Sequence, residues 1–142
     1  MSMSPFSHLL HELRLRHNVR QADLAALLGY EQSYVSALEV GLKGPPTPEF
    51  VEKLIEALPL AIPEANELRA AVEASQRKLV IDVDTPQDVY WLLNMLRRKL
   101  PSLSPKHVRL IKDVLDMTDA HSEPWSDPLR RIGRRRKQEA AM

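Results

Sequence analysis

The sequence predicts an all-α protein: a five-helix N-terminal domain, a short extended link and a two-helix C-terminal unit. Three observations carry this expectation. Apolar residues recur at three- and four-residue spacing along most of the chain. Prolines and hydroxylated residues stand where helices would begin, and glycines stand where they would stop. The one strand-like alternation, VIDVDTP at residues 80–86, is too short to form a sheet alone. It is either an extended linker or one strand pairing with its copy in a second subunit.

The first helix is expected over residues 5–17, with Ser4 as cap, Pro5 in the first turn and Leu9, Leu10, Leu13 and Leu15 as the apolar set. Asn18 ends it. Leu24, Leu27 and Leu28 form the stripe of a second helix, and Gly29 stands where a left-handed residue would stop it. A third helix carries Val35 and Leu38 and closes at Gly41. After the loop GLKGPPTPEF begins, Thr47 can cap a fourth helix that starts at Pro48 and turns Val51, Leu54, Ile55 and Leu58 inward. The fifth, PEANELRAAVEASQRKL, is expected to run to about Leu79. Thr85 and Pro86 open a sixth with Val89, Leu92, Leu93, Leu96 and Leu100 in one stripe. Ser104 and Pro105 open a seventh, which is apolar over more than one face.

Composition narrows the function classes. The chain of 142 residues is 44% hydrophobic, enough for a real core. It has no run near the roughly 18 to 20 apolar residues of a membrane span, and MSMSPFSHLL is unlike a signal peptide, so a cytoplasmic location is expected. Without cysteine there is no disulfide framework, thiol nucleophile or thiolate zinc site. His8 and His11 lie three apart, but no third metal ligand is indicated. No nucleophile elbow, P-loop or dinucleotide fingerprint occurs. Neither catalysis nor a cofactor is expected.

Residues 20–41, RQADLAALLGYEQSYVSALEVG, pose a sharper pattern: two helices of about eight residues separated by a single glycine. Such a unit lets one helix brace on a DNA backbone while the next lies in the major groove. Gln21, Ala22, Asp23, Leu24, Ala25, Gly29, Val35, Leu38, Glu39 and Gly41 follow a known pattern. The stretch resembles the XRE-type helix-turn-helix regulators, which include phage repressors and Cro, over about residues 5–60.

The resemblance implies that Ala25, Gly29, Val35 and Leu38 build the unit and do not touch DNA. Glu31, Gln32, Ser33, Ser36 and Ala37 lie on the face of the third helix that the core leaves free, and its N-terminal residues are those presented to base edges. Gln32 can pair bidentately with adenine, Glu31 can accept from cytosine, Ser33 can serve base or phosphate, and Ala37 can meet a thymine methyl. Tyr34 is expected to flank the groove against sugar and phosphate. By the same resemblance Gln21 donates to a phosphate from the start of the second helix, and Lys43 anchors the backbone after the third.

Charge bears on affinity. Residues 1–79 hold 8 Lys/Arg against 10 Asp/Glu, and residues 80–142 hold 12 against 9. A single domain so slightly acidic would bind DNA weakly, so a homodimer on a two-fold symmetric operator is expected. The resemblance makes repression its usual outcome.

The expected organisation is a DNA-binding domain over 1–79, a self-association unit over 80–119 and a disordered basic tail over 120–142. Arg130, Arg131, Arg134, Arg135, Arg136 and Lys137 in that tail are either solvated or added phosphate contacts. The competing reading is an interaction module, antitoxin-like or a co-regulator, that binds a protein partner through residues 86–118.

Overall fold

The computed structural model describes residues 3–117 and is helical throughout, with seven α-helices and no strand among the described residues. The chain divides into two compact units between Leu79 and Val80. The expected tail, with Trp125 and the arginine run, lies outside the described residues.

The first unit contains α1 (Pro5–Arg16), α2 (Gln21–Leu28), α3 (Gln32–Glu39), α4 (Pro48–Ala57) and α5 (Ile62–Ala74). Local chemistry sets most of their ends. Ser4 accepts from the Ser7 amide and Thr47 from the Phe50 amide, each at 3.2 Å, satisfying donors that a helix start leaves unpaired. Asn18, at φ 52°, turns the chain out of α1. Gly29 stops α2 at φ 77°, and the Tyr30 amide reaches back to the Ala25 carbonyl at 3.0 Å, the six-to-one bond of a left-handed helix stop.

The core of this unit is one cluster. Phe6, Leu9, Leu10 and Leu13 from α1 meet Leu24, Ala25 and Leu28 from α2, and Val35 and Leu38 from α3. Phe50, Val51 and Leu54 from α4, Leu58 just after it and Leu68 from α5 complete it. Phe6 and Phe50 pack edge to face at 6.4 Å. Two leucines assigned inward from spacing are outside: Leu15 and Leu27 are each 63% exposed. Both fall off the stripe their neighbours form, because each of these helices buries only one side.

The fifth helix is shorter than expected, ending at Ala74 and not near Leu79. Buried Ser75 accounts for the stop. Its hydroxyl donates to the Ala71 carbonyl at 2.6 Å and accepts from the Phe6 amide at 2.9 Å, tying the end of α5 to the start of α1. Nearby, the Ser7 hydroxyl donates to the Leu38 carbonyl at 2.6 Å and joins α1 to the last turn of α3.

The second unit contains α6 (Gln87–Lys99), a 3-10 turn (Leu100–Ser102) and α7 (Pro105–Leu115). Ser104 caps α7 in a reciprocal box: its hydroxyl accepts from the His107 amide, and its own amide donates to His107 Nδ1 at 3.1 Å. Residues 80–86 form no strand within this chain. No residue of α6 or α7 is buried, although Trp91, Leu92, Met95, Ile111 and Val114 are all exposed apolar side chains.

Candidate nucleic-acid interface

The candidate reading helix is α3, and its orientation depends on a carboxylate in its last turn. Glu39 is buried and accepts from three side chains on two other helices. Arg14 of α1 grips it in a fork, Nε to Oε2 at 2.9 Å and Nη2 to Oε1 at 2.6 Å. His11 of α1 reaches Oε1 through Nδ1 at 2.5 Å, and Gln21 of α2 reaches Oε2 through Nε2 at 3.1 Å. An ionised carboxylate only accepts, so His11 Nδ1 carries the proton.

Burial by itself pushes the Glu39 carboxyl upward. The hydrogen bonds from Arg14, His11 and Gln21 outweigh that cost and hold its pKa at about 2. The same contact raises Arg14 above its ordinary value. A charge so fully paired stays charged, and it clamps α3 to α1 and α2 at once. Gln21 thus has a structural role the sequence did not announce: one carboxamide hydrogen is committed to Glu39, and the second is left for the expected phosphate contact.

At the other end of α3 the chain is open. Glu31 occupies the cap position with no side-chain capping bond, followed by Gln32 and Ser33, and all three are exposed. Ser36 and Ala37 are half-buried one turn later on the same helix. The separation has a simple cause. Val35 and Leu38 enter the core, which holds the helix by one side and leaves its first turn projecting.

Two tyrosines and two lysines border this end. Tyr30 and Tyr34 stack with centroids 5.3 Å apart, and both rest against Phe50 of α4 at 5.2 Å and 5.9 Å. Tyr34, expected only to flank a groove, is half-buried and also packs α3 on α4; burial and the neighbouring Tyr30 raise its pKa. Lys43 Nζ lies 5.7 Å from the Tyr34 ring centroid and Lys53 Nζ 5.1 Å from that of Tyr30. The Lys53–Tyr30 contact was not legible in the sequence. Lys53 sits on α4 with no motif around it, and only the packing of α4 brings it to this edge. Arg20, highly exposed just before α2, is another cation that sequence reading passed over, although its place beside Gln21 was the available signal.

The order of parts is thus a braced helix, a tight left-handed glycine and a second helix locked at one end and open at the other. Residues 5–68 match a family model described as a helix-turn-helix domain. This segment is similar to a helix-turn-helix domain. Searches of curated proteins and of solved structures found no match.

Within the helix-turn-helix domain, the imidazoles of His8 and His11 are engaged with carboxylates. His8 Nε2 lies 2.9 Å from Glu12 and His11 is bound to Glu39. Among the described residues no group of three or more His, Asp or Glu is placed to hold a metal. No helix among them is long and apolar enough to cross a membrane.

Proposed function

We propose that the protein is a sequence-specific transcription regulator, a binding protein and not an enzyme, that represses as a homodimer on a two-fold symmetric site in cytoplasmic DNA. One observation carries the reading: Glu31, Gln32 and Ser33 are exposed on the first turn of a helix whose last turn is clamped by buried Glu39. A rigid helix with polar side chains at its free N-terminal end suits base-edge readout in a major groove. Gln32 reads adenine, Glu31 accepts from cytosine, and Ser33, Ser36 and Ala37 complete the face.

Lys43, Lys53 and Arg20 neutralise phosphates beside it, with the open amides at the start of α2 as a further anion contact. Homodimerisation doubles these contacts and sets two half-sites about 34 Å apart, one turn of the duplex. Repression follows where such a site overlaps a promoter.

The exposed apolar residues of α6 and α7 favour a second reading, an interaction module of antitoxin or co-regulator type that binds another protein through residues 86–118. A mobility-shift assay on DNA upstream of the protein's own gene, run against random DNA at two salt concentrations, separates them. Base readout retains a specific complex at the higher salt after the random one is lost. Simultaneous loss of both rejects sequence-specific regulation.

A further inference from the structure

Helix α6 is apolar over one broad arc, with exposed Leu92 near its middle. Val89, Leu93 and Leu96 form one flank and are half-buried. Trp91 and Met95 stand on the other, 64% and 57% exposed. Asp88 lies three residues before Trp91 and Arg98 three residues after Met95, and both are exposed. At 100° per residue these four side chains share an arc of about 80°. Along that face the order is acid, indole, thioether, base.

The strip is complementary to itself when reversed. About a point midway between Trp91 and Met95, Asp88 falls opposite the partner's Arg98, and Trp91 falls opposite the partner's Met95. A two-fold interface demands this property, since whatever residue i meets on the other copy must meet i in return. We propose that α6 pairs antiparallel with α6 of a second copy through this face, and that this pairing is the dimer contact. It rests on the homodimeric reading of the protein.

Charge and shape favour a second copy over an unrelated occupant. The antiparallel arrangement makes two Asp–Arg pairs and sets the helix dipoles head to tail, whereas a parallel one places Asp88 on Asp88 and Arg98 on Arg98. Trp91, Met95, Arg98 and Ser102 help line an open groove of about 490 Å³, which is a seat for the partner's indole. Sulfur against an aromatic ring is a favourable contact.

The test uses the full chain in sedimentation equilibrium. Asp88→Arg and Arg98→Asp should each weaken dimerisation by roughly tenfold, because each reversal acts twice in a symmetric pair. The double reversal should return the constant to within about threefold of wild type, with unchanged helix content by circular dichroism. A double variant as weak as the singles, or singles without effect, overturns the α6 pairing while leaving a DNA-binding dimer intact. A wild-type chain that stays monomeric overturns both the pairing and the homodimeric reading.

Cysteine exchange supplies a second arm, as the chain has no cysteine of its own. Oxidising Trp91→Cys mixed with Met95→Cys should cross-link the mixture more than either alone. Stronger linkage within each variant separately marks a parallel contact and rejects the proposal.

Discussion

Arg14 and Glu39, 25 residues apart in sequence, form a two-pronged ion pair in which both side chains are largely withdrawn from water. The pair joins the helix that begins the domain to the last turn of the helix that would read DNA. Its energetic weight lies in what happens when half of it is removed. Arg14→Ala leaves a buried carboxylate short of its main partner and should lower stability by about 3 kcal/mol in urea unfolding. Replacing both residues with apolar ones, Arg14→Met with Glu39→Leu, should cost less than Arg14→Ala alone. An equal or larger loss in the double variant would contradict that assignment.

Acid should weaken the domain through the same carboxylate. The folded pKa of Glu39, about 2, lies below its ordinary 4.5, so folding favours the deprotonated form. That contribution is fully present above about pH 4.5 and is lost progressively as the pH falls toward 2. Thermal midpoints measured across this window should fall more steeply for wild type than for Glu39→Gln, which has no proton to take up there.

Gly29 should be sensitive to substitution for a conformational reason alone. At φ 77° it occupies left-handed space, yet a Cβ built there meets nothing within 4 Å. Gly29→Ala should therefore lower stability by about 1 kcal/mol through backbone strain, and Gly29→Asn by less, since asparagine tolerates this region. Calorimetry of the two variants checks the order.

Readout and anchoring should separate in DNA-binding measurements. Gln32→Ala is expected to lower specific affinity by about 1–3 kcal/mol while leaving random DNA nearly unaffected. Lys43→Ala and Lys53→Ala should weaken binding to both and each reduce the log-log salt slope by about 0.9. Equal losses on both DNAs for Gln32→Ala would remove that residue from base recognition.

Within the reading unit, the open residues were legible from sequence because their signals are local. Gly29 marks the turn and so puts Glu31, Gln32 and Ser33 at the start of α3. Periodicity turns Ser33 away from the side that Val35 and Leu38 bury, whereas Glu31 and Gln32, four and three residues before Val35, are open because that first turn projects beyond the core. The anchoring residues were less legible. Gln21 stands at the helix start as expected, but its bond to Glu39 spans 18 residues, and Lys53 reaches Tyr30 only because α4 packs against both tyrosines. Side chains with no neighbour in sequence have no pattern to announce them.

The amino-acid order by itself determined where several helices start and where α2 stops, since caps, prolines and left-handed residues act within four or five positions: Ser4, Thr47, Ser104 and Gly29 each do this. Tertiary structure decided which apolar residues are covered and which polar ones are committed. It left Leu15 and Leu27 in water, ended α5 at a serine bonded to an amide 69 residues away, and drew Gln21 inward to Glu39. The physical reason is range. Backbone hydrogen bonding in a helix is settled by near neighbours, whereas burial and charge pairing depend on which surfaces meet.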